Sequence, residues 1–134
     1  MRIRISMESI QGEFSRQIET ISGQVMLSCN QCGKCSAGCP VAFSMDVLPN
    51  QVVRLAQLGI EDVLDSQTIW TCAACLTCVA RCPKGLDLPR VMEALRLISI
   101  QRHGNRLESS QLSQEMLGEA PQLAMIGGFR KFTT

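Results

Sequence analysis

Apolar positions along the chain recur at helical rather than strand spacing. Ile10, Phe14, Ile18 and Ile21 follow at steps of 4, 4 and 3 residues, one face of a helix. Val91, Met92, Leu95 and Ile98 form a second such face. It follows Asp87, a side-chain cap, and Pro89, suited to a first turn, and Gly104 marks its stop. Between the two, Asp46 and Pro49 introduce the stretch from Asn50 to Leu58, and Gly59 closes it. That predicts a third helix, with a further turn over Ile60 to Leu64. Leu107, Leu112, Met116 and Leu117 predict a fourth, ending near Gly118. Beyond it, residues 119–134 are apolar in places but interrupted by Pro121, Gly127 and Gly128. Residues 2–5 read as a short strand, and no long stretch alternates with period two. A mostly α fold is expected.

Composition sharpens this picture. The chain of 134 residues has one Trp, four Phe and no Tyr. Aromatic side chains usually dominate a core, so this one must rely on Leu, Ile, Val, Met and something not written as side chains. Thirteen Lys and Arg against twelve Asp and Glu leave no charge excess to favour a nucleic-acid partner. No apolar run approaches the roughly 20 residues of a membrane span, and the start lacks the apolar core of a secretory signal. A cytoplasmic location is therefore expected. Eight cysteines in such a chain point to metal or redox chemistry rather than to disulfides.

The cysteines stand at 29, 32, 35 and 39, and again at 72, 75, 78 and 82, each set reading C-x2-C-x2-C-x3-C-P. The second set repeats the first 43 residues on, and six of twelve positions coincide. Three cysteines at equal short steps wrap one tight loop around three iron corners of a cubane [4Fe–4S] cluster. The last stands before Pro40 or Pro83, which has no N–H and turns the chain away. In bacterial two-cluster ferredoxins that last cysteine ligates the other cluster. By that pattern Cys29, Cys32, Cys35 and Cys82 hold one cluster, and Cys72, Cys75, Cys78 and Cys39 the second. Zinc fits less well, because its sites use well-separated pairs of ligands.

The surroundings suit an anionic centre. Lys34, Arg81 and Lys84 are placed to offset its charge, or else simply face solvent, and Gly33 and Gly38 allow close backbone approach. Trp70, two residues before Cys72, is expected over the second cluster or the core beside it. The lone His103 reads as a helix-end cation or a solvent-facing residue, and the seven Met as pliable packing. No phosphate loop, nucleophile triad or carboxylate pair is legible, so no catalytic residue is assigned.

Taken together, the two cysteine motifs, the insert Val52-Val-Arg-Leu-Ala-Gln-Leu-Gly59, Ile69-Trp-Thr-Cys72 and Arg81-Cys-Pro-Lys-Gly-Leu-Asp-Leu-Pro89 resemble the C-type subunit of heterodisulfide reductase over roughly residues 25–103. The resemblance implies an α-helical ferredoxin domain with two [4Fe–4S] clusters, placed over 28–104 after an N-terminal extension over 1–27. The segment 105–134, apolar in places but unable to build a core of its own, either drapes on the domain or docks on a partner, and a partner-docking tail is expected. The resemblance also implies a role: passing electrons between the flavin-bearing A-type subunit and the disulfide-reducing B-type subunit of the same complex. The motif that binds the disulfide-reducing clusters of the B-type subunit is absent here. Related domains occur in succinate dehydrogenase, fumarate reductase and anaerobic glycerol-3-phosphate dehydrogenase. A free ferredoxin-like carrier, or the iron–sulfur subunit of another such complex, is the alternative.

Overall fold

The computed structural model describes residue 10 and residues 12–103 and 111–129. Every regular element among the described residues is helical. In chain order they are α1 (Glu13–Ser22), α2 (Lys34–Ala37), α3 (Pro49–Gln57), α4 (Thr68–Thr71), α5 (Thr77–Arg81), α6 (Leu88–His103), α7 (Gln114–Glu119) and α8 (Gln122–Phe129), with short 3₁₀ turns at Met26–Ser28, Ala42–Ser44 and Glu61–Asp65. The chain divides into two units, residues 1–102 and 103–134.

One apolar core serves the first unit. Phe14 and Ile18 of α1, Val52, Val53 and Ala56 of α3, Ile69 of α4, and Val91, Leu95 and Ile98 of α6 are all buried in it. The two apolar faces read from the sequence thus converge, and α3, whose bounds but not whose face were read, joins the same core. Ile21, counted with the α1 face, is 39 % exposed and lies at its edge. Arg102 stacks its guanidinium over the Phe14 ring, 5.5 Å from the centroid, joining the last turn of α6 to α1.

Local chemistry explains the helix starts. Pro49 opens α3, and the side chain of Gln51 reaches back to accept the Leu48 N–H at 2.9 Å. Asp87 caps α6 by accepting the Arg90 N–H at 3.3 Å, as its position predicted. Asp46 does not cap α3. Its carboxylate serves α4 instead, because the chain turns back between the two.

The second unit departs from the sequence reading. Its first described helix starts at Gln114, capped by the Ser113 hydroxyl on Met116 N–H at 3.2 Å, so Leu112 precedes it. Gly127 lies inside α8, where the sequence predicted a break. Glycine costs a helix only about 1 kcal/mol. Pro121 precedes that helix, and its carbonyl accepts the Ala124 and Met125 N–H groups. The strand expected over 2–5, the stop at Gly104 and the helical position of Leu107 lie outside the described residues.

Candidate metal centres

The cysteine duplication is repeated in the backbone. Cys29 follows the 3₁₀ turn Met26–Ser28, and Cys72 follows α4. Two residues beyond each, Gln31 and Ala74 take positive φ of 58° and 52°. Four beyond, Gly33 and Leu76 do so again, at 76° and 63°. The short helices α2 and α5 then start at equivalent positions, Lys34 and Thr77, and pack against each other. Left-handed conformations cost L-residues roughly 1–2 kcal/mol each. Only Gly33 of the four is free of that cost, so both loops hold strain in the service of where the cysteines point.

Each loop is clamped at the same two carbonyls. Gln57, buried at the end of α3, donates from Nε2 to Met26 O at 2.8 Å and to Cys29 O at 3.0 Å. Arg96, midway along α6, donates from Nε to Ile69 O and from Nη2 to Cys72 O at 2.9 Å. Ile69 and Cys72 stand 43 residues after Met26 and Cys29, the offset of the duplication. Further bonds tie the first loop to the insert helix: Ser36 Oγ accepts the Asn50 N–H at 3.0 Å and donates to Asn50 Oδ1 at 2.6 Å.

The eight thiols line two concavities. Cys29, Cys32, Cys35 and Cys82 line the first. Cys39, Cys72, Cys75 and Cys78 line the second. Each combines three cysteines of one motif with the last of the other, and Leu88 stands in the wall of both. Cys32 and Cys75, the middle residues of the two motifs, are exposed, and the other six are half-buried. Lys34 and Lys84 flank the first concavity. Val41, Met45 and Met92 make the second more apolar. Arg81 lies against Gly38, where an added Cβ would come 2.7 Å from its Cδ. Trp70 packs on the core.

The sulfurs are individually tuned. Cys29 Sγ accepts from Gln31 N and Nε2, both at 3.5 Å, and Cys82 Sγ from Leu86 N at 3.3 Å. Burial raises the Cys35 thiol and pushes that of Cys78 up to about 11, the neighbouring Cys72 adding to the latter. The hydrogen bond with Thr77 lowers Cys75. Among the described residues no three His, Cys, Asp or Glu side chains are grouped for a single metal ion. The donor set is instead four thiols around each concavity, the complement of a cubane with four iron corners. Thiolates are the metal ligands, so binding there would release the thiol protons.

Sequence reasoning did not find Gln57, Arg96 or Asp46 in these roles. Each acts across more than twenty residues, and no local spacing signals such a bond.

Residues 25–86 match the family of 4Fe-4S dicluster domains. Fold and match together define a mostly helical iron–sulfur protein with eight cysteines, the complement of two [4Fe–4S] clusters. Similar proteins narrow the class. Over 86 residues the chain is 36 % identical to the C2 subunit of the H(2)/formate:CoB-CoM heterodisulfide,ferredoxin reductase of Methanococcus maripaludis, covering 64 % of this chain and 46 % of the relative. Over 75 residues it is 39 % identical to an iron–sulfur C-type subunit of the CoB–CoM heterodisulfide reductase of Methanocaldococcus jannaschii, covering 56 % and 40 %. The C-type subunit of the ferredoxin/F(420)H(2)-dependent CoB-CoM heterodisulfide reductase of Methanosarcina acetivorans is 31 % identical over 97 residues, covering 72 % and 60 %. The chain is a homologue of the C-type subunit of heterodisulfide reductase, and the match spans less than half the length of the first two relatives.

Proposed function

We propose that this chain is the electron-transfer iron–sulfur subunit of a heterodisulfide reductase or heterodisulfide reductase-like complex. It relays electrons between a flavin-bearing partner of the A type and a disulfide-active partner of the B type. Cys29, Cys32, Cys35 and Cys82 hold one [4Fe–4S] cluster, and Cys72, Cys75, Cys78 and Cys39 the other. What carries this reading is the grouping of thiols across the two motifs, three from one and the last from the other on each concavity. Each bound cluster supplies one-electron chemistry. The chain's own residues fix the two loops through the Gln57 and Arg96 clamps, half-bury six of the thiols, and leave Cys32 and Cys75 exposed as ports for the two partners.

Residues 28–104 form the cluster domain in this reading, 1–27 precede it, and 105–134 dock a partner. Leu123 and Ile126 of α8, 83 % and 60 % exposed, supply apolar contact area for that docking. Among the described residues no helix is long and apolar enough to cross a membrane. Eight thiols outside any disulfide suit a reducing compartment, and we place the chain in the cytoplasm.

Anaerobic iron and sulfide analysis with EPR tests the assignment: about eight irons per chain are expected from two cubanes. Cys82→Ser should damage the centre held by Cys29, Cys32 and Cys35 and spare the one nearer in sequence. Iron near four per chain, zinc in its place, or damage to the nearer centre would overturn it. Purified alone with a chemical electron donor, the chain should reduce no disulfide.

A further inference from the structure

The two clamps hold equivalent carbonyls with different charge. At Met26 and Cys29 the donor is the neutral amide of Gln57. A cation, Arg54, stands one bond further out, donating to Gln57 Oε1 at 3.2 Å from an exposed position. At Ile69 and Cys72 the guanidinium of Arg96 donates directly. Arg96 is half-buried, and among the described residues no carboxylate pairs with it; the ion pairs found are Arg90 with Asp87 and Arg102 with Glu61. A half-buried cation bonded only to carbonyls is uncompensated, and an anionic centre on Cys72 is the counter-charge it lacks.

We propose that Arg96 is a positioning residue whose charge gives the centre on the Cys72 side the higher reduction potential of the two. The inference rests on the two-cluster reading above. A fixed positive charge stabilises the reduced, more negative form of a centre, and second-shell donors set cluster potentials. Lys34 and Lys84 flank the other concavity but are exposed. Charges acting through water are weakened roughly fourfold relative to those near a protein surface, and further by salt. The half-buried guanidinium therefore outweighs them. The duplicated loops, alike in thiols and backbone, are thus made unequal by one side chain from outside either motif.

The test is an anaerobic redox titration followed by EPR, with iron and sulfide measured on the same samples. The native chain should show two reduction steps. Arg96→Gln retains donor groups but not charge, and should lower the higher step about tenfold in equilibrium constant, about 59 mV for one electron. The lower step should stay in place. Ile100→Glu, one turn beyond Arg96, leaves the clamp intact and supplies a carboxylate partner; it should shift the same step in the same direction. Either variant alone decides if the other does not fold. Unchanged potentials in a variant with about eight irons, or a shift confined to the lower step, would overturn the role of Arg96. A native chain without two cubanes would overturn the underlying reading instead.

Discussion

The carboxylate of Asp46 accepts the Thr68 N–H at 2.9 Å and its hydroxyl at 2.7 Å, so a residue of one loop caps a helix 22 residues on. Its other oxygen takes the Gln67 N–H at 2.9 Å. The helix so fixed, α4, delivers Cys72 to the second concavity. Burial opposes ionisation of Asp46, but the Thr68 hydroxyl and the N–H groups of Gln67, Thr68 and Val47 outweigh it and hold the carboxyl below its ordinary range.

That sign fixes a pH dependence. A depressed folded-state pKa contributes stability that is present above the unfolded value and is lost as pH falls through the folded value. Asp46→Ala should cost about 1 kcal/mol near neutral pH, as loss of a cap does. The cost should shrink in acid, which melting curves of both proteins across the carboxylate range would show. A pH-independent difference would mean that the charge of Asp46 contributes nothing.

Gln57 should matter more than its surroundings indicate. Gln57→Leu keeps the apolar stem but leaves the Met26 and Cys29 carbonyls without their buried donor. A loss of about 2 kcal/mol or more follows from unsatisfied buried acceptors. Anaerobic denaturant unfolding followed by circular dichroism measures it, and a variant within about 0.5 kcal/mol of the parent, half a typical hydrogen bond, would show the clamp to be idle.

The paired left-handed positions offer a reciprocal test. A Cβ at Gly33 meets nothing within 4 Å, so Gly33→Ala adds backbone strain of roughly 1–2 kcal/mol without a clash, partly offset by the lost unfolded-state freedom of glycine, a net loss of about 1 kcal/mol. Leu76 is 57 % exposed at φ 63°. Leu76→Gly relieves its strain but adds the unfolded-state entropy of glycine, so its net change should stay within about 1 kcal/mol, on the stabilising side. Opposite signs in the two unfolding midpoints are the expected outcome.

Deleting residues 119–134 should leave iron content and visible spectrum unchanged, since every cysteine lies before them. Assembly with the partner subunit should weaken, because Leu123 and Ile126 leave with them. Unchanged affinity in a pull-down would remove the docking role, and loss of iron would make the tail part of the fold.

Much of this was legible in one dimension. Thiol spacing specifies a cluster loop because three iron corners set the reach of the chain, and a second copy of the spacing announces a second loop. Periodic apolar positions placed α1 and α6, and the Pro49 and Gly59 boundaries placed α3, because helical geometry is local. Asp87 was readable as a cap for the same reason: donor and acceptor stand three residues apart. Asp46 offered the same signal and misled, since its carboxylate meets α4 only after the chain has folded back. Gln57 and Arg96 gave no signal at all. Their partners are carbonyls, which every residue carries, 28 and 24 positions away. Residue types and spacing by themselves gave the proposed ligand set; the tertiary structure alone decided which backbone each helix restrains and with what charge, because those bonds exist only once α3 and α6 have packed on the core.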